Sequence, residues 1–459
     1  LGCYGYPKAT SPNIDKLAGE SFVFKENFST ASYTFSSFMS IITSLYPRSH
    51  GVLMISKDKL SPRVNTLAQI LDMYGYKTLW LGPLDDPHLK PEAGFGRGFE
   101  EQKGGISKHN LVKIRADLLN WMEHNRNEKF FLNMHTYKAH SPYFPSAKYK
   151  EKFTRAKGMK GVIDKNTLFF KKTVETMRER EKDPVTPLSE KKLFKEYLAS
   201  GTLNASETYE FFLSRAKSDK LSEVQDCAYW GGVDLSDPAV NAYMQALYDA
   251  CILEFDQEII NPVIEKLKDL KLYDSTIIII CADHGEEFNE HGGHAHGGTL
   301  YREVTHVPLI IHVPGIKHGR QINELTQTVD IMPTLLDLLG IPVPRQAQGK
   351  SLVDLMNNKR ALPLREYVFS EANGISSIRS KEWLFLLNNN DQNRRFYHLA
   401  SDPKEQKNMY PENKEAALEL ESELKKWEAS LPSYQDMEYP FDPGIDEATQ
   451  ERIRKSGYW

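Results

Sequence analysis

The sequence has no run of about 18 apolar residues, the length a helix needs to cross a bilayer. Its longest apolar stretch, 276–282, is far too short, so no integral membrane segment is expected in this chain. Cysteine is scarce. Cys3, Cys227, Cys251 and Cys281 match no zinc spacing and are too few for a disulfide scaffold, so free buried thiols are expected. Positive charge is not in excess: 58 Lys and Arg face 62 Asp and Glu, a net charge of -4, which argues against a general nucleic-acid binder. There are no internal repeats. No signal peptide is visible, but the chain opens with Leu1 rather than Met, so its N-terminus is expected to be incomplete and compartment is not read from it. What the sequence does hold is aromatic surface: 22 Phe, 22 Tyr and 6 Trp need a core and exclude a long disordered chain. A length of 459 residues fits about three domains, or one large domain with a smaller partner.

Short buried strands alternate with amphipathic helices. Residues 64–74 read as a helix and 77–81 as a strand. A helix at 111–124 precedes a strand at 129–134, and a long helix at 243–270 precedes a β-branched strand at 275–281. A further strand is expected at 307–313. This alternation predicts a mostly parallel sheet with helices on both faces, with ligands outside the carboxyl ends of its strands. The stretch 151–220 breaks the rhythm. It holds 16 basic and 11 acidic residues, a net of +5, and reads as a solvated helical insertion or as a cap that attracts an anionic substrate. After Gly340 four short strands, at 366–370, 375–379, 383–387 and 396–399, precede a helix at 416–431, predicting a small antiparallel sheet with one packed helix.

Three segments carry chemistry. The densest is Asp283-His284-Gly285-Glu286-Glu287 with His291, His294 and His296, directly after a predicted strand. A carboxylate and an imidazole leaving a rigid strand together make a natural metal-ligand pair, and Gly292, Gly293, Gly297 and Gly298 let the chain fold tightly around it. The second is Ser32 to Phe38, just before a helical run, where Thr34 is either a helix cap or a nucleophile at a positive helix end. The third is His135 to Tyr143, whose histidines His135 and His140 leave a strand and suit an anion or a metal as well as a structural role.

These segments, in this order, resemble the sulfatase family of the alkaline phosphatase superfamily. The resemblance rests on Leu1-Gly2-Cys3-Tyr4-Gly5, Thr10 to Asp15, Leu45 to Val52, His140 to Tyr143, Ala282 to Glu287 and Val329 to Leu336. It also rests on Phe396-Tyr397-His398-Leu399 with Asp402-Pro403 and Glu405. It implies a three-layer α/β/α sandwich with a mostly parallel central sheet over residues 1–345, interrupted by an insertion at 151–235. A C-terminal α+β subdomain at 346–431 and a tail at 432–459 follow. It further implies a divalent cation (Mn, Ca, Mg or Zn) and a small anionic ester substrate. By position Thr34 falls on the family's nucleophile, Asp283 and His284 on metal ligands, and His140 and His296 on residues that hold the anion's oxygens. His135 joins them as a substrate-binding candidate.

The departures from the family are chemical. Sulfatases mature a Cys or Ser to formylglycine within a Cys-x-Pro-x-Arg type motif. Here the aligned residues are Thr34, Ser36 and Phe38, and threonine cannot be converted. The family's glycine–lysine dipeptide is replaced by Gly82-Pro83, and His296 stands where many members have lysine. The family's first strand, which ends in an acidic metal ligand, would precede Leu1, so the chain is expected to be a fragment. The leading expectation is therefore phosphoester or phosphonoester hydrolysis through Thr34. The alternatives are sulfuric ester hydrolysis without formylglycine, phospho-group transfer, and anion binding without catalysis.

Overall fold

In this computed structural model the described residues are 1–53, 58–83, 89, 93–103, 111–141, 143–154, 235–359 and 363–434, with isolated positions between 178 and 199. The chain divides into two compact units. One comprises Leu1–Ile106, Val112–His135 and Ile259–Trp459; the other comprises Ser107–Leu111 and Thr136–Glu258.

In the first unit, β1 (Phe22–Phe28), β2 (Lys77–Leu81), β3 (Glu101–Lys103), β4 (Phe130–Met134) and β5 (Ile278–Cys281) precede a two-stranded hairpin, β6 (Glu287–Phe288) with β7 (His294–Ala295). Then come β8 (Leu309–His312) and β9 (Arg320–Gln327). One sheet runs β5-β8-β1-β9 and another β3-β2-β4. β2 is parallel to β3 and β4, and β1 is parallel to β9; within these two sheets only β8 opposes its neighbours, β1 and β5. A parallel return needs a long crossover. Between β5 and β8 the chain has the β6–β7 hairpin and a four-residue helix, Arg302–Thr305, but no long crossover helix, and β8 comes back antiparallel. Because both oppose β8, β1 and β5 end at the same edge.

Consecutive strand residues point to opposite faces. Ile279 packs with Leu67, Ile70, Leu71, Met332, Leu335 and Leu336, from the helices Leu67–Met73 and Ile331–Leu338. Its neighbour Ile280 packs on the other side with Ile14 and Ala18 of the helix Pro12–Ala18. Helices thus cover both faces, the three-layer α/β/α arrangement. A capping box between Thr66 and Gln69 starts the Leu67–Met73 helix.

Four antiparallel strands form the C-terminal sheet, β10 (Val368–Ala372), β11 (Ile375–Arg379), β12 (Trp383–Asn388) and β13 (Asn393–His398). Ile378, Phe385, Leu387 and Phe396 bury their side chains against Ala417, Leu420 and Leu424 of the helix Lys414–Ser430. In the second unit, Tyr149 of the helix Ala147–Thr154 packs on Ala250 and Leu253 of the helix Pro238–Phe255.

Several elements depart from the periodicity reading. The expected single helix over 243–270 is two helices, Pro238–Phe255 and Asn261–Asp269, joined by a π turn at Asp256–Ile260. Pro262 lacks the N–H that a continuous helix would bond back four residues, which accounts for the interruption. Strands β1 and β9 were not anticipated. Cys3, Cys251 and Cys281 are free thiols, of which Cys251 is buried and the other two are partly so. Most of the expected insertion and cap, and the tail from 435, lie outside the described residues.

Candidate active site

Thr34 is the first residue of the helix Thr34–Thr43, reached from the carboxyl end of β1. Tyr33 occupies the cap position, and no side chain caps the helix. The Thr34 hydroxyl turns instead to His284, with Oγ1 lying 2.9 Å from Nε2. The other ring nitrogen of His284, Nδ1, lies 2.9 Å from the Gly285 carbonyl. A carbonyl only accepts, so Nδ1 donates and Nε2 presents its lone pair to Thr34. This is the orientation a ligating imidazole takes, with its far nitrogen held by a backbone carbonyl.

Asp283 and His284 leave β5 two and three residues after Cys281. Asp283 Oδ2 lies 3.5 Å from His284 Nε2, and it is buried with no hydrogen-bond partner among the described residues. The Ser29 hydroxyl donates to the Asp283 main-chain carbonyl, tying the end of β1 to the end of β5. Burial opposes ionisation of Asp283, yet the His284, His135 and His296 imidazoles together bring its carboxyl below the ordinary range. Burial likewise drives His284 toward its neutral form. Both effects prepare the species that bind cations.

The His296 ring lies over that of His284, 4.2 Å between centroids, and 5.9 Å from that of Tyr33. Its Nδ1 is 2.9 Å from Glu286 Oε1. Behind His296 the chain turns at Gly297, at φ +88°, where a side chain would collide with the Tyr33 ring. Gly285 is equally constrained, since a Cβ there would stand 2.1 Å from the Glu303 carbonyl oxygen. His135 follows β4, donates its main-chain N–H to the Leu81 carbonyl, and meets the Phe38 ring edge-on at 4.9 Å. Phe38, where the family has arginine, stacks with Trp80 and Phe95.

The first unit thus gathers Thr34, Asp283, His284, His296 and His135. His140 belongs to the second unit, where its ring lies 5.0 Å from that of Tyr137, and its assignment rests on sequence position. Of the other histidines in the glycine-rich loop, His291 pairs with Glu303 at 3.0 Å and stacks on Tyr301, while His294 is exposed on β7. Sequence reasoning missed Tyr33 and the contact of Glu286 with His296. Glu286 stood within the acidic motif, but nothing in the spacing shows which of its neighbours it meets.

Three donor atoms, Thr34 Oγ1, His284 Nε2 and Asp283 Oδ2, therefore stand at successive separations of 2.9 and 3.5 Å. Ligands about 2 Å from one ion are about 3 Å apart, so the set fits a divalent cation, and the unpartnered Asp283 oxygen is the group such an ion would satisfy. An α/β/α sandwich with a hydroxyl, a carboxylate and imidazoles at its strand ends defines the alkaline phosphatase-like class. Within it the chain belongs to the sulfatase family. A family model described as "Sulfatase" matches residues 1–341, and one described as "N-sulphoglucosamine sulphohydrolase, C-terminal" matches residues 290–430.

Among curated relatives, human arylsulfatase K is 31% identical over 195 residues, 39% of this chain and 36% of the relative, so the match spans about a third of that protein. An N-acetylglucosamine-6-O-sulfatase of Bacteroides thetaiotaomicron is 23% identical over 89% of this chain and 80% of its own. Among solved structures, the phosphonate monoester hydrolase of Agrobacterium radiobacter shares the fold, with a TM-score of 0.67, 20% identity, and coverage of 93% of this chain and 92% of that one. The relatives' names favour the sulfuric ester alternative over the phosphoester expectation.

Proposed function

We propose that this protein is a metal-dependent hydrolase of sulfuric esters on small molecules such as sulfated sugars, working through Thr34 without formylglycine. The observation that supports catalysis is the Thr34 hydroxyl aimed at His284 Nε2 beside an unpartnered buried carboxylate oxygen. The names of the full-length and partial relatives support sulfate as the ester.

Asp283 and His284 would hold the cation, with Thr34 at its edge. Bound there, it would stabilise the threonine alkoxide and the charge on the ester oxygens. The Thr34 hydroxyl loses its proton to solvent, Oγ1 attacks sulfur, and the bond to the leaving oxygen breaks. His296 and His135 bind the non-bridging oxygens, and one of them supplies the proton the leaving alcohol takes. Water then attacks sulfur and gives a proton back to that histidine, the bond from sulfur to Thr34 Oγ1 breaks, sulfate departs, and the threonine oxygen takes up a proton to restore the hydroxyl.

A second reading, phosphoester or phosphonoester hydrolysis, draws on Thr34 itself, an unmodified hydroxyl of the kind that suits phosphoryl transfer. A panel of 4-nitrophenyl sulfate, phosphate, phosphate diester and phosphonate, assayed with Mn, Mg, Ca and Zn, separates the two. Mass spectrometry of the trapped enzyme should then find a sulfo or phospho group on Thr34. No turnover of any of these esters with any of these metals would refute both.

A further inference from the structure

We infer that Glu286 is a positioning residue for His296, fixing which of its ring nitrogens is available for proton exchange. The inference rests on the reading in which His296 meets the ester. Glu286 Oε1 lies 2.9 Å from His296 Nδ1, and both side chains are more than nine-tenths buried. A carboxylate oxygen accepts, so Nδ1 carries the hydrogen and Nε2 becomes the nitrogen that exchanges a proton. Removing the carboxylate removes the acceptor that selects the Nδ1–H tautomer.

The rest of the loop holds the backbone while Glu286 holds the ring. The Asn373 amide, from the turn between β10 and β11, donates to the Gly297 carbonyl at 2.5 Å. Tyr33 packs on the Gly297 turn from the other side. Glu287, one residue beyond Glu286, accepts the main-chain N–H groups of His291 and Gly293, which closes the β6–β7 hairpin. This hairpin carries His296 back toward Glu286. Two adjacent glutamates therefore divide the work: Glu287 shapes the loop and Glu286 orients the imidazole.

The test uses the full chain loaded with its metal and whichever ester it turns over. Glu286→Ala should lower kcat by about 10–100-fold, the usual cost of removing a carboxylate behind a functional histidine, with KM changed by about twofold or less. Glu286→Gln should recover most of the loss, because its amide oxygen still accepts from Nδ1. Bound-metal stoichiometry and thermal midpoint should stay at the parent values in both variants. Independently of turnover, 15N spectra of histidine-labelled protein, with His296 assigned through His296→Gln, should show the Nδ1–H form in the parent and its loss in Glu286→Ala. An unchanged kcat in Glu286→Ala, or a parent His296 protonated on Nε2 alone, would overturn the inference. Absence of any ester turnover would count against the proposed function, and the tautomer would still decide the role of Glu286.

Discussion

At the scale of single residues, the Thr34 hydroxyl separates two outcomes that the sequence left open. A capping threonine bonds to a main-chain N–H two or three residues on; here the oxygen meets His284. Thr34→Ala should therefore abolish turnover while costing little stability, and Thr34→Ser should keep a measurable fraction, as steady-state assays on folded variants would show. Near-parental activity of Thr34→Ala would remove covalent catalysis. Asp283 makes a separate prediction. Its buried Oδ2 has no hydrogen bond among the described residues, so Asp283→Ala removes charge that a bound cation needs and little that the apo fold uses. Metal affinity, read by equilibrium dialysis, should fall by at least about 100-fold, more than the 10–100-fold typical of an outer partner. Full stoichiometry in Asp283→Ala would refute the ligand assignment.

At the scale of elements, the Thr34–Thr43 helix is held from behind by His50. His50 Nδ1 accepts the Val52 N–H at 3.0 Å, and Nε2 donates to the Ser36 carbonyl at 3.1 Å. Only a neutral ring can do both. Burial accordingly pushes its pKa down to about 3 from 6.5. The folded state thus takes up the proton less readily than the unfolded chain. Stability is complete above about pH 6.5 and is lost as pH falls toward the folded value, at about 1.4 kcal/mol per pH unit, or roughly 2 kcal/mol by pH 5. Denaturant titrations of the parent and of His50→Gln across that range should show a shallower slope in the variant, where buried His306 and His284 still contribute in the same direction. Packing between elements yields a plainer expectation. Leu336 is fully buried between two helices and the sheet, so Leu336→Ala should cost about 2–5 kcal/mol in the same experiment.

At the scale of the whole chain, long-range ion pairs join the C-terminal sheet and its approach to the central sheet's helices. Arg48 bridges Glu371 of β10 and Glu428 of the last helix. Deeper in, Arg365 reaches Asp330 Oδ1 at 2.6 Å, and both side chains are almost wholly buried. Asp330 also accepts the Lys350 and Gln327 main-chain N–H groups, so one carboxylate anchors three segments. Asp330→Ala would leave a buried guanidinium uncompensated and should destabilise by about 3–5 kcal/mol, whereas a surface pair such as Lys77–Glu100 should contribute under about 1 kcal/mol.

The sequence by itself determined the local chemistry and the class of the fold. Strand 77–81, the 111–124 helix and the C-terminal strands were legible because hydrophobic period and turn residues act over a few positions. Asp283 and His284 were legible as a pair because they are neighbours leaving one strand. Strands β1 and β9 were not, since Lys25, Glu26, Asn27 and the polar residues of β9 hide the apolar pattern, and their pairing joins segments some 300 residues apart. Only the tertiary structure decided that Thr34 meets His284, 250 residues away, because that contact depends on strand order. β8 lies between β1 and β5 and opposes both, which brings their carboxyl ends to one edge and the hydroxyl to the imidazole. The Glu286–His296 contact has the same origin at short range: spacing gives the residues, and the closure of the β6–β7 hairpin sets the distance.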